Sequence, residues 1–353
     1  MIGWGDVWKV VEAMTPLYVA LILGYGSVKW WRILRVEVCE AINHLVFYFT
    51  YPLFVFEFAA HVNPYTMNYP LMAADVVSKV IIVAALACWA KWCPHGSYSW
   101  SITSFSLTTL TNSLVVGVPF LQPMYGQVGV NLVVQSSVFQ ALVWTTILLF
   151  VFELRDLRRP SPAPTDTDHD LENQPITDAL GEEIVAPPLS LQKLIKKVSL
   201  KIAKNPNFYA CILGLTWAFL SNRWHFSMPN IVEESVLILS RAGTGTTMFN
   251  MGLFMASQEK VLACGAKLTI IGMALKFIAD PVAMALASFA VGLRGEVLRV
   301  AIIQAALPQS INSFIFAKEY GLRADVFSTA VIFGMIASLP VLIGYSAILG
   351  LVH

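Results

Sequence analysis

Apolar runs of roughly 18–25 residues recur along the chain, each long enough to cross a bilayer as a helix. Five lie at about 7–29, 39–60, 70–90, 100–122 and 131–153. Five more lie at about 205–222, 230–256, 266–290, 297–318 and 326–350. Between the two groups, residues 155–198 change character. Pro160, Pro162, Pro164, Pro175, Pro187 and Pro188 punctuate them, with Asp166, Asp168, Asp170, Glu172, Glu182 and Glu183. Such a stretch cannot bury enough apolar surface to fold, and it predicts a largely disordered linker. The basic segment Leu191 to Lys204 at its end suits a membrane surface. The pattern predicts an all-α polytopic membrane protein with ten transmembrane helices: residues 1–154 as a first five-helix repeat, 155–198 as a short cytoplasmic linker, 199–353 as a second five-helix repeat.

Lysine and arginine placement sets the orientation. Lys29, Arg32, Arg35, Lys91, Arg155, Arg158, Arg159, Lys193, Lys196, Lys197, Lys201, Lys204, Lys260, Lys267, Lys318 and Arg323 cluster on one face, against Lys9, Arg223, Arg294 and Arg299 on the other. Positive residues concentrate on the cytoplasmic side, so both termini are expected on the non-cytoplasmic side. An odd number of spans per half makes the two halves inverted repeats.

Each half carries an interruption in its fourth span. In the first it is Thr111-Asn112-Ser113-Leu114-Val115-Val116-Gly117-Val118-Pro119, and in the second Leu307-Pro308-Gln309-Ser310-Ile311-Asn312-Ser313. Backbone freed by a break inside lipid must meet protein or line a cavity. Two breaks at matching places point to a secondary transporter with its site at the midplane. Helix starts beyond the breaks present partial positive charge to an anion. The Asn112 amide donates hydrogen bonds without the cost of a buried charge. Gln309, Ser310 and Asn312 are candidate partners for the second break's freed groups.

Charge inside the spans is the other signal. Asp75 and Lys79, then Lys276 and Asp280, have i,i+4 spacing, so each pair shares a helix face. An unpaired intramembrane charge costs at least ~2.5–3.5 kcal/mol; pairing lowers that cost, and the i,i+4 geometry allows it within each helix. Asp75 and Lys79 read either as a mutually neutralised pair that pins the third helix or as a proton- or ion-substituting element beside the substrate site. Lys276 and Asp280, next to Pro281, read as scaffold.

Composition narrows the class. The chain is 57% hydrophobic and 13% charged, too apolar for a soluble domain, and its net charge of +1 offers no field for nucleic acid. Its five cysteines form neither a disulfide framework nor a metal pattern. There is no Walker A, HExxH or GxSxG sequence, so no cofactor and no enzymatic centre is expected.

The chain resembles the plant PIN-FORMED auxin efflux carriers. The resemblance rests on Thr15 to Leu21 with Gly24 to Trp31, on Ile102 to Phe105 running through Asn112 to Pro119, and on Ala301 to Gln309 running through Phe316 to Gly321. The short linker matches the family's short-loop branch, which the resemblance associates with the endoplasmic reticulum; the plasma membrane is the alternative. The resemblance implies a fold like that of sodium/bile-acid symporters, with a scaffold and a transport domain each built from both repeats. It implies broken helices crossing at Pro119 and Pro308, a homodimer in membrane lipid, and indole-3-acetic acid and related aryl carboxylates as substrates. Asn112 and Asn207 would contact substrate, with Ile311 lining an apolar pocket. Position 51, commonly Val in the family, is Tyr51 here. Leu114 and Asn312, within the two breaks, complete the candidate set, with Asp75 and Lys79 as supporting charges. The resulting expectation is uniport of the anion by elevator-type alternating access. The rivals are a proton-coupled symporter or antiporter using Asp75, and a non-transporting membrane sensor. Thr165 and Thr167 are generic phosphorylation candidates.

Overall fold

A computed structural model describes residues 4–93, 97–157, 191–258, 260 and 262–351. The expected linker disorder, and Thr165 and Thr167, lie outside the described residues. The elements are helices: α1 Trp4–Lys29, α2 Val36–Leu45, α3 Tyr51–Ala60, α4 Tyr69–Trp92, α5 Tyr98–Thr109, α6 Val118–Phe139, α7 Thr145–Leu157, α8 Leu191–Ala203, α9 Pro206–Trp224, α10 Asn230–Ser257, α11 Ala266–Ala274, α12 Asp280–Val291, α13 Gly295–Ala305, α14 Ile311–Glu319 and α15 Ala324–Leu351.

Six helical stretches among the described residues are long and apolar enough to cross a membrane: Val7–Lys29, Glu37–Ala60, Tyr69–Trp92, Ser113–Asp156, Ala266–Val291 and Ala324–Leu351. The chain is therefore a polytopic helical membrane protein. The expected ninth span is divided into α13 and α14, of 11 and 9 residues, each too short to cross alone. The expected fourth span is likewise cut after α5. Outward faces are apolar, as lipid contact requires: Ile278, Val282, Leu286 and Phe289 stand exposed along one side of the α11–α12 rod.

Helix starts follow local chemistry. Asn68 accepts from the Leu71 N–H at 3.0 Å ahead of Pro70 in α4, and Asn205 accepts from the Asn207 N–H at 3.0 Å ahead of Pro206 in α9. Four π-turns interrupt the spans at Val46–Thr50, Ser113–Gly117, Gln140–Trp144 and Leu275–Ala279. Each adds a residue to a turn and re-aims the side chains beside it. Tyr51, Asn112, Gln140 and Lys276 all lie within or directly beside these turns.

Helices of the first half pack against helices of the second. α1 runs against α10, where Gly24 and Gly252 let the backbones touch. α3 packs on α9 and α10, and α4 packs on α12. A second apolar core joins α5, α7, α14 and α15 through Phe105, Leu148, Phe152 and Phe327. α8 inserts Leu194 and Val198 into that core. Its Lys197 and Lys201 reach the buried Glu153 of α7 at 2.9 and 3.3 Å, and the Tyr320 hydroxyl donates to the same carboxylate at 3.0 Å. Lys201 also meets Glu319 at 2.9 Å and lies over the Tyr320 ring. Partial burial works against the Lys201 ammonium, but Tyr320 and Glu319 outweigh it and hold its pKa above the ordinary lysine value. Burial raises the Tyr320 phenol.

Candidate functional site: a paired helix break between cavities

The two breaks lie side by side. Leu110 (φ −93°, ψ 104°) and Asn112 (φ −86°, ψ 63°) leave the helix, and Thr111 forms an antiparallel bridge with Gln309. The Asn112 N–H donates to the Pro308 carbonyl at 2.8 Å, and the Ser310 N–H donates to the Leu110 carbonyl at 3.1 Å. Each break supplies backbone partners for the other, which answers the lipid's failure to do so. Pro308 stands in the second break itself. The first break precedes Pro119 by several residues; the π-turn Ser113–Gly117 runs directly into α6 just ahead of that proline.

Side chains satisfy what remains. Gln140 accepts from the Thr111 N–H at 3.1 Å and hydroxyl at 2.8 Å, and donates to the Thr111 carbonyl at 2.9 Å. Gln304 donates to the Ser113 hydroxyl at 2.6 Å, which meets Thr111 Oγ1 at 2.7 Å. Gln309 donates to the Ser106 carbonyl at 3.2 Å. Lys79 donates to the Thr108 carbonyl at 3.0 Å, placing a cation at the negative end of α5.

The charge pairing differs from the i,i+4 expectation. Lys79 pairs with Asp280 at 3.0 Å, across the two halves, and Lys276 takes the other Asp280 oxygen at 2.8 Å. Asp75 instead accepts a hydrogen bond from the Trp144 indole N–H. The i,i+4 pair forms within α11–α12 but not within α4, because α4 and α12 pack closely enough for Lys79 to reach a second carboxylate. Asp75, Lys79, Trp144 and Gln304 line a cavity of about 280 Å³, separated from the main one by Thr111 and Gln140.

Two larger cavities flank the crossing. The first, about 760 Å³, is lined by Tyr51, Val55, Leu114, Asn207, Cys211 and Asn312, among others. The second, about 480 Å³, is lined by Asn43, Tyr51, Asn112, Thr247, Ile311 and Asn312, among others. Asn112 and Asn207 thus face different cavities. Tyr51 and Asn312 border both. The second cavity shares Asn43, Asn250, Ile311 and Ile315 with a wide vestibule that ends at Lys318 and Glu319. The Asn112 side chain occupies the cap position of the turn after the break and makes no capping hydrogen bond. The Asn207 Oδ1 is buried with no partner among the described residues.

The arrangement offers neutral donors, an apolar lining and a helix start, which suit an amphipathic anion. Gln140, Gln304 and Trp144 escaped sequence reasoning, although a glutamine inside an apolar run is itself a visible signal. Asp280 was visible but assigned to the scaffold.

A family model described as membrane transport protein matches residues 9–346. The chain is 64% identical to auxin efflux carrier component 5 of Arabidopsis thaliana over 353 residues, covering all of both chains. It is 56% identical to the probable auxin efflux carrier component 5a of Oryza sativa subsp. japonica, again over all of both. Identity to auxin efflux carrier component 8 of Arabidopsis thaliana is 37%, covering 99% of this chain and all of that one.

Proposed function

The chain belongs to the auxin efflux carriers of the membrane transport protein family, and on that premise we propose that it carries auxin, as the indole-3-acetate anion, by alternating access. As a member of that family it is a transporter rather than an enzyme. The observation that carries the finer reading is the paired break, which holds neutral donors between two cavities with no arginine or lysine among the described residues of either lining. A carboxylic acid of pKa near ~4–5 is ionised at pH 7, and its anion crosses lipid poorly.

In this reading ten spans form two inverted five-helix repeats, as in the sodium/bile-acid symporter fold. The pairing of α1 with α10 has its counterpart in that of α3 with α9, and α4 meets its own counterpart α12, which supports that symmetry. Helices α1, α3, α9 and α10 make the scaffold, and the crossing helices belong to the moving body. Asn112 and Asn207 hold the substrate's polar groups; Tyr51, Leu114, Ile311 and Asn312 shape the pocket. With Lys318 on the cytoplasmic side, the vestibule gives an inward-facing state. Lys79, paired to Asp280, substitutes structurally for a bound cation, so transport is uniport. At ~100 mV, moving one negative charge outward is favoured by ~2.3 kcal/mol, about 50-fold in concentration. In the endoplasmic reticulum, the expected location, the concentration gradient sets the direction. The functional unit is a homodimer.

The test is uptake of labelled indole-3-acetate into proteoliposomes with clamped potential, with and without a pH gradient, for the wild-type chain and Asn112→Ala. Flux that follows potential, ignores the pH gradient and collapses in the variant supports the uniporter. Flux that tracks the pH gradient moves the reading to proton coupling at Asp75. No flux of any indole acid by folded protein removes it.

A further inference from the structure

Thr247 in α10 breaks the habit of its helix. A threonine within a membrane helix normally returns its hydroxyl to a carbonyl three or four residues back. Thr246 does so, donating to the Ala242 carbonyl at 2.7 Å and lying 3.3 Å from that of Gly243. Thr247 is 9% exposed, and its Oγ1 has no hydrogen-bond partner among the described residues. A buried hydroxyl left unpaired is costly, so the position calls for a ligand group that meets it.

Its surroundings say which group. Thr247 lines the second cavity beside Asn112, whose side chain makes no hydrogen bond among the described residues, and beside Asn250. Asn250 donates to Asn43 Oδ1 at 2.8 Å, which occupies that acceptor and leaves the Asn43 amide N–H groups for a ligand. Among the described residues this wall carries neutral donors and no charged side chain. Val46, Phe47, Met251 and Ile315 line the same cavity and suit an apolar ring. The vestibule shares Asn43 and Asn250, so the wall is reachable from outside.

We propose that Thr247 is a substrate ligand: its hydroxyl donates to one oxygen of an aryl carboxylate in the second cavity, while the Asn112 amide donates to the other. The inference rests on the carboxylate-carrier reading and deepens it, seating the charged end in the second cavity. No covalent step is involved.

The test is equilibrium binding of indole-3-acetate and of uncharged, equally sized indole-3-acetamide to the purified full-length chain, comparing wild type, Thr247→Val and Thr247→Ser. A hydrogen bond to a charged group sets the scale, so Thr247→Val weakens carboxylate binding by about tenfold or more. Binding of the amide falls by at most about threefold, and Thr247→Ser restores the carboxylate to within about threefold of wild type. Unchanged carboxylate affinity in a folded Thr247→Val protein overturns the assignment. So does an equal loss for both ligands, or a serine variant as weak as valine. Wild-type protein that binds no aryl carboxylate overturns the parent reading, a result distinguishable from these.

Discussion

Lys79 and Asp280 stand 201 positions apart in sequence and meet at 3.0 Å in the buried interior. Asp280 also neutralises Lys276, so one carboxylate serves two ammonium groups. Removing one partner of a buried ion pair costs about 3–5 kcal/mol, because the other is left charged and dry. Asp280→Asn abandons two cations, whereas Lys79→Met leaves Asp280 with Lys276. The asparagine variant is therefore expected at the upper end of that range and the methionine variant at the lower end. Thermal midpoints in detergent check the order, and a more stable Asp280→Asn refutes it.

Gln140→Leu keeps the shape of the side chain and removes three hydrogen bonds to Thr111. Each backbone group left unpaired costs about 1–3 kcal/mol. Since Thr111 belongs to the crossing itself, substrate flux should fall together with the melting temperature. Wild-type flux in a destabilised variant would show that the geometry of the crossing does not depend on this glutamine.

Much of this was legible beforehand. Long apolar runs announced the spans, since nothing but a helix satisfies backbone inside lipid. Pro308 marked its break because the break occurs at that residue. Pro119 marked only the junction of the π-turn Ser113–Gly117 with α6, and the break lies at residues 110–112. Spacing along one helix showed that Asp75 and Lys79 share a face, but contacts across helices decide which charges meet. Tyr51 and Asn312, far apart in sequence, border both cavities, and spacing holds no record of that meeting.

Gly252 faces the Leu21 carbonyl and the Tyr25 N–H of α1, with no room for a methyl group. Gly252→Ala must push two helices apart and is expected to lower the yield of folded protein sharply. Gly245, seven residues earlier on the same helix, faces open space. Gly245→Ala is expected to be neutral or to stabilise by up to ~1 kcal/mol, since alanine favours the helix. Size-exclusion profiles of the two variants make the comparison, and equal behaviour sinks it.

Lys201 fixes α8 to the ends of α7 and α14. Its pKa is raised in the folded state, so the lysine's contribution is fully present below its ordinary value and is lost only as pH climbs through the raised one. The destabilisation caused by Lys201→Met should therefore be the same at about pH 6 and about pH 9. A loss confined to the lower pH would mean that another group titrates in its place.

Tyr51 borders both cavities, so Tyr51→Val should join them into one chamber. Uptake of naphthylacetate relative to indole-3-acetate is expected to rise. An unchanged ratio would mean that the ring of Tyr51 does not limit substrate size.

The reciprocal hydrogen bonds of the two breaks act as a rivet. Asn112 and Ser310 each hold the opposite strand, so neither break can slide along the other without exposing backbone to an apolar interior. On the proposed alternating access, whatever travels must carry both crossings as one piece, and the slip plane would run along the faces that the proposed scaffold helices α1, α3, α9 and α10 present to them. The first and second halves of the polypeptide therefore cannot drift independently at this point: a change that reshapes one break alters the backbone partners of the other, and tolerated changes should come in compensating pairs.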